Sequence, residues 1–347
     1  PAIEPNGAAE IRWRFATGSF VESTPAVVAG TVYVGSADGY LYAVDAATGA
    51  QRWRFATGDW VSSSPAVADG TVYVGSYDGF LYAVDAATGE ERWRLDAQGQ
   101  IFSSPAVVGG VVYVGSADNV EDPDGGRLFA VEAATGRVRW DLPMGVLSSP
   151  AVAGGIVYVG STDGTLYAIE AASGVVAWRF ATLGGIAASP AVADGTVVVG
   201  GLDGVVYAVA AATGTERWRF AVGVSTQSSA AVAGGTVYLG ADDGTVLAIE
   251  LASGDLRWRF GTDAAVDSSP LVIDESVYVG SNDGHLYAID AASGRQRWIL
   301  ETGGYIRSSP VVSEGVIYIG SYDGLLYAIA GSPATPQPAS SRATPEQ

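Results

Sequence analysis

Cysteine and lysine are both absent from the 347 residues, and histidine occurs once. Without cysteine there is no disulfide framework, thiolate zinc site, iron–sulfur cluster or thiol nucleophile. A single imidazole likewise excludes a multi-histidine metal site. Positive charge is scarce: 18 arginines face 37 acidic residues, for a net charge of −19. That sign opposes the electrostatic attraction on which binding to nucleic acid or an anionic leaflet depends, so neither is expected as a partner. No apolar run approaches the roughly 20 residues of a membrane-spanning helix, which argues against direct insertion. Pro1 to Glu10 is polar and lacks the basic and apolar regions of a signal peptide. Only 16% of residues are charged while 48% are apolar, so a sizeable dry core is expected.

What the sequence has in abundance is repetition. Trp13, Trp53, Trp93, Trp140, Trp178, Trp218, Trp258 and Trp298 recur at steps of 40, 40, 47, 38, 40, 40 and 40. Pro25, Pro65, Pro105, Pro150, Pro190, Ala230, Pro270 and Pro310 mark the same eight units, and only the third unit is irregular. Within a unit, four short apolar runs alternate with turn signals, as at Pro65 to Ala68, Thr71 to Ser76, Phe80 to Ala86 and Arg92 to Leu95. These runs have strand length and no helical periodicity. Asp69-Gly70 and Asp78-Gly79 suit tight hairpins, since glycine accepts positive φ.

Runs such as Val72-Tyr73-Val74 are apolar on both faces, so each unit must be covered on both sides by its neighbours. The chain opens on a lone fourth strand, Ile11 to Phe15, and its last unit has only three runs, ending at Ala330. An N-terminal strand completing the last unit would close the array and leave no unpaired end. The expected fold is therefore all-β: one eight-bladed β-propeller of four-stranded antiparallel blades over residues 11–330. Residues 1–10 form a polar lead and residues 331–347 a tail rich in Pro, Ala, Ser and Thr that reads as linker.

The phrase Ala83-Val84-Asp85-Ala86-Ala87-Thr88-Gly89-Glu90-Glu91-Arg92-Trp93 resembles the tryptophan-docking repeat of the pyrroloquinoline-quinone (PQQ) type propeller family. Variants follow at Asp45 to Trp53, Glu132 to Trp140, Glu170 to Trp178, Ala210 to Trp218, Glu250 to Trp258 and Asp290 to Trp298. WD40 repeats have a similar period, but their Trp-Asp dipeptide is missing. The resemblance implies that the eight repeat tryptophans wedge between blades over the Thr-Gly turn. It also implies quinoprotein dehydrogenases, a noncatalytic outer-membrane assembly lipoprotein and kinase-linked sensor propellers as relatives, and a location outside the cytoplasm. The vicinal cysteine pair of many of those dehydrogenases cannot exist here, and only Trp60 remains as a floor for a cofactor. The leading expectation is a noncatalytic, monomeric binding or scaffold propeller with no cofactor. A PQQ- and calcium-dependent oxidoreductase is the alternative, and a symmetric scaffold without ligand the second.

Scaffold does not imply chemistry, so candidate sites must come from departures from the repeat. His285 follows Asp283-Gly284 and reads as a solvated turn residue, without an assured orienting acid or nucleophile. Arg12, Arg14, Arg52, Arg54 and their equivalents along the fourth strands read as edge protection rather than as an anion-binding belt. In the third unit an insertion places Asp118, Glu121, Asp122 and Asp124 together, a candidate for calcium, although it lacks EF-hand spacing and contains Pro123.

The second departure lies in the segments that join one unit to the next. The position four before the landmark proline stays mostly Val or Ile and the two just before it stay small, as packing positions would. Three before it, the sequence runs Glu22, Ser62, Phe102, Leu147, Ala187, Gln227, Asp267 and Arg307. Five before it come Phe20, Trp60 and Tyr305 among smaller residues, and the hairpins add Tyr40, Tyr77, Phe80 and Tyr322. These segments should frame the channel mouth. Phe20, Glu22, Tyr40, Trp60, Tyr77, Phe80, Asp267, Tyr305, Arg307 and Tyr322 are therefore the candidate ligand residues, for a protein, peptide, sugar or other small partner. Glu22, Asp267 and Arg307 could instead satisfy one another across the mouth.

Overall fold

In the computed structural model, residues 9–118 and 125–330 are described, and all regular structure is strand. Blade 1 comprises Ala26–Val28, Thr31–Gly35, Tyr40–Asp45 and Gln51–Ala56, each paired antiparallel to the next. Six further blades repeat this order through residue 301. Blade 8 takes three strands, Val311–Ser313, Val316–Gly320 and Leu325–Ala330, and receives Glu10–Ala16 as its fourth. The chain is thus an eight-bladed propeller fastened by its N-terminal strand.

Second and third strands carry the core. Val32, Val34, Leu41, Ala43 and Val44 are fully buried, and their counterparts repeat around the wheel. Each hydrophobic cluster spans two blades; one joins Val32 and Val44 of blade 1 to Tyr318 and Leu326 of blade 8. Burial on both faces explains why these strands lack polar alternation. Outer strands do alternate, as in Glu10–Ala16, because one face meets solvent.

Tryptophan geometry fixes the spacing between blades. Trp13, Trp53, Trp93, Trp140, Trp178, Trp218 and Trp258 each donate Nε1–H to a carbonyl of the next blade, at 2.7–3.1 Å. For Trp298 the corresponding carbonyl falls at residue 331, outside the described residues. The ring lies so close over the Thr-Gly turn that a Cβ on Gly89 would stand 2.8 Å from Trp53. Only glycine fits there, and its φ of 76° suits no other residue well. The accepting Ala86 carbonyl also takes the Tyr33 hydroxyl at 3.1 Å. One backbone oxygen is thereby bound from two strands of the neighbouring blade.

Hydroxyls line the axis. The amide of Thr24 donates to Ser64 Oγ, that of Ser64 to Ser104 Oγ, and so on through Ser149, Ser189, Ser229, Ser269 and Ser309, at 2.9–3.1 Å. The last bond returns from Ser309 to Thr24, so the circuit has no end. These positions look like packing positions in the sequence; they are hydrogen-bonding positions. Seven serines and a threonine, rather than alanines, were the signal.

Each fourth strand carries a bulge at the residue before its tryptophan, an arginine in every blade but the fourth, which has Ala177. Ala43 pairs with Trp53 and Val44 with Gln51, so Arg52 is the extra residue. The bulge turns Arg52 inward along its own blade, where it donates to Thr31 Oγ1 at 2.6 Å and Asp45 Oδ2 at 2.7 Å. The second arginine lies over an aromatic ring, Arg54 over Tyr40 at 4.6 Å and Arg94 over Phe80 at 5.1 Å. Most of the belt is therefore internally satisfied.

Candidate binding site at the channel mouth

Connections between blades and hairpins between second and third strands emerge at one end of the channel. Glu22, Ser62, Phe102, Leu147, Ala187, Gln227, Asp267 and Arg307, one from each blade, line a single cavity of about 400 Å³ together with Tyr77. Positions related only by repeat arithmetic in the sequence thus meet in space.

Charged groups gather on one side. Arg307 Nε lies 3.1 Å from Asp267 Oδ2, and its Nη1 is 3.7 Å from Glu22 Oε1. Asn282 Nδ2 also donates to Asp267, at 2.9 Å. Burial alone would lower the Arg307 pKa, but its interactions with Tyr322, Asp267 and Glu22 outweigh it and hold the guanidinium firmly protonated. Asp242 stands on the adjoining hairpin with its Oδ1 buried and unpartnered. Burial, with the Asp267 charge adding to it, pushes the Asp242 carboxyl above its ordinary range despite help from Ser225 and Gln227.

Aromatic rings occupy the next sector as a continuous row. Tyr305 contacts Tyr322 at 6.0 Å between centroids, Tyr322 stacks on Phe20 at 4.5 Å, and Phe20 meets Trp60 edge-on at 5.2 Å. Trp60 is followed by Tyr77 at 5.7 Å and Tyr77 by Phe102 at 4.5 Å. Trp60 is 44% exposed and Tyr305 55% exposed. Arg307 joins the row by lying over the Tyr322 ring at 5.4 Å. Burial first, and then the nearby Glu22 charge, raises the Tyr322 hydroxyl well above its usual pKa.

The structure brings together eight of the ten sequence candidates: Phe20, Glu22, Trp60, Tyr77, Asp267, Tyr305, Arg307 and Tyr322. Tyr40 and Phe80 are placed elsewhere. They open third strands and pack against Arg54 and Arg94 of the outer strands, because the first residue after the Asp-Gly turn points away from the axis. Phe102 belongs to the row although the sequence analysis did not select it; its presence among the eight variable positions was the signal. Asp242 and Asn282 were likewise missed, since a polar residue before an Asp-Gly turn looks like turn chemistry.

The remaining candidates lie apart. Glu121, Asp122 and Asp124 fall outside the described residues, and the amide of Asp118 donates to Gly125 O at 3.3 Å. Among the described residues no three His, Asp or Glu side chains gather in a metal-binding group. His285 begins a third strand with its Nδ1 3.1 Å from Asp283 Oδ1. Burial would raise the Asp283 carboxyl, but donated bonds from Tyr287, the Asp263 amide and His285 overcome it and leave it below the usual range.

Eight blades around this mouth, joined by docked tryptophans, match a known pattern. The family model described as outer membrane protein assembly factor BamB covers residues 6–59, 37–143, 124–259 and 202–332. The chain belongs to this family of PQQ-like repeat propellers. Among solved structures it is similar to BamB from Moraxella catarrhalis, at 19% identity and a TM-score of 0.80, over 93% of this chain and 100% of that one. It is also similar to a europium-containing methanol dehydrogenase, at 16% identity and a TM-score of 0.81, over 93% of each chain. The computationally designed Ika8 protein matches at 21% identity and a TM-score of 0.79, over 90% of this chain and 96% of that one. No curated protein matches the chain. At these identities the likeness concerns the fold alone, and both catalytic and noncatalytic proteins share it.

Proposed function

We propose that this protein is a noncatalytic binding propeller of the BamB-like family, located outside the cytoplasm, that holds a basic segment of a partner protein at its channel mouth. One observation carries the reading: the single position that varies most between near-identical blades converges, eight times over, on one cavity. Variation free of packing constraint is what a recognition surface requires. Exposed Trp60 and Tyr305 supply aromatic anchors, and Glu22, Asp242 and Asp267 outnumber Arg307, which suits a cationic partner. The family's description as an assembly factor supports a protein partner.

The alternative is a quinoprotein oxidoreductase. PQQ is a planar quinone bearing three carboxylates, and the one guanidinium that lines this mouth among the described residues is already committed to Asp267 and Glu22. The residues present fit that cofactor poorly. The experiment is a peptide array containing Arg- and Lys-rich sequences and acidic ones, probed with parent protein and a Trp60→Ala, Tyr305→Ala variant of unchanged melting temperature. Preferential capture of basic peptides by the parent alone is the expected result. Equal capture by both proteins, or dye reduction by alcohols after addition of PQQ and Ca²⁺, would overturn the reading.

A further inference from the structure

At the opposite end of the wheel the repeat breaks in another way. Arg52, Arg92, Arg257 and Arg297 each donate to a hydroxyl twenty-one residues earlier and to a carboxylate seven residues earlier: Asp45, Asp85, Glu250 and Asp290. Blade 5 keeps the arginine and loses the acid. Arg217 donates to Thr196 Oγ1 at 2.6 Å, as Arg52 does to Thr31, but the residue seven before it is Ala210. Its guanidinium has not moved away. A Cβ built on Gly30, Gly70 or Gly195 would lie 4.0, 3.9 and 3.7 Å from the Nη2 of Arg52, Arg92 and Arg217 respectively.

None of the ion pairs among the described residues includes Arg217. Glu216 is engaged with Arg219, and Asp194 on the adjacent hairpin makes no pair with it. A second change in the preceding blade opens space beside it. There the bulge residue of the fourth strand is Ala177 instead of arginine, and a groove of about 440 Å³ runs between blades 4 and 5. Trp178 and Tyr158 form an aromatic wall, Ala210 sits opposite, Arg217 stands at one side, and no carboxylate lines the groove. Both rings already spend their polar atoms on Ala211 O, at 2.9 and 3.2 Å, so they offer hydrocarbon to an occupant.

We propose that this groove binds a small organic carboxylate with an apolar or aromatic body, its carboxylate taking the place that Asp45 or Asp85 occupies in other blades. Four blades of the same molecule provide the template for that contact. In blade 8 the arrangement is not repeated, since Val316 stands where the hydroxyl residue would be. The site is separate from the channel mouth and does not depend on the function proposed for it. The guanidinium is partly solvated and the protein is acidic overall, so millimolar affinity is expected.

The test uses 3-phenylpropionate against 3-phenylpropionamide, followed through the Trp178 Nε1–H resonance assigned with Trp178→Phe. A saturable shift is expected for the acid, about tenfold tighter than for the amide, because only the acid forms a charge-assisted bond. Ala210→Asp should install the missing internal partner and abolish acid binding in a protein at least as stable as the parent. Arg217→Gln should abolish the preference for acid over amide. Absence of a saturable shift in the parent, equal affinity for acid and amide, or undiminished acid binding by folded Ala210→Asp would each overturn the site.

Discussion

The amide of Ser309 donates to Thr24 Oγ1 at 3.1 Å, joining the last blade to the first through the same contact that links every other pair around the axis. The seam is thus continued in the inner hydrogen-bond circuit as well as in the outer strand Glu10–Ala16. Thr24→Val keeps the shape and removes the acceptor. It should cost about 1 kcal/mol in denaturant unfolding, the usual price of one neutral hydrogen bond. Ser104→Ala, at an internal junction, should cost about the same. A loss at Thr24 several times that at Ser104 would mean that the seam is the weak point of the wheel.

Gly89 tests the docking of Trp53 in two parts. Gly89→Ala combines a left-handed backbone, at φ 76°, with a Cβ at 2.8 Å from the indole. Gly109→Ala provides the comparison, since its φ is 59° and an added Cβ there meets nothing within 4 Å. Backbone strain alone should cost about 1 kcal/mol, and the clash should bring Gly89→Ala to about 2–4 kcal/mol. Equal losses at both sites, measured by urea unfolding, would show that the indole gives way freely.

Much of this architecture was legible because the repeat reports the same constraint eight times. A tryptophan, a Thr-Gly turn and doubly apolar strands recur together, and only stacked blades satisfy all three. The site was less legible because side-chain direction is set by strand geometry rather than by position in a motif. Tyr77 and Phe80 stand three residues apart in one hairpin, yet Tyr77 faces the channel while Phe80 packs beneath Arg94. The serine circuit was hidden by size, since a small residue near an axis suggests packing until its hydroxyl is seen to accept. Arg217 was hidden by likeness: the arginine is conventional, and the anomaly is the alanine seven residues before it.

Acid sensitivity should arise partly from the carboxylates of the outer turns. Asp290 accepts from Arg297 at 2.6 Å and from the Ser293 hydroxyl and amide at 2.7 and 2.8 Å. These bonds, that from Arg297 foremost, lower its carboxyl from 3.8 to about 2. A folded pKa below the unfolded one means stability that is complete above pH 3.8 and lost as pH falls through about 2. Asp290→Asn should therefore lower the melting temperature at pH 7, with the gap to the parent closing toward pH 2. A gap that stayed constant over that range would assign the loss to the turn and not to the charge.

Asp242 should behave in the opposite sense. Its Oδ1 is buried without a partner, and burial together with the Asp267 charge raises its pKa above 3.8. The unfolded chain then releases the proton more readily than the folded one, so ionisation of Asp242 opposes folding as pH rises past 3.8. Asp242→Asn removes that charge and retains the shape. It should raise the melting temperature at pH 7 by about 1 °C, since a partly solvated charge acts weakly, with the gain vanishing below the unfolded pKa. The same variant should weaken capture of basic peptides, because it deletes one of three carboxylates at the mouth. If stability rose at pH 7 while basic-peptide capture stayed unchanged, the carboxylate would be a local electrostatic burden with no part in recognition.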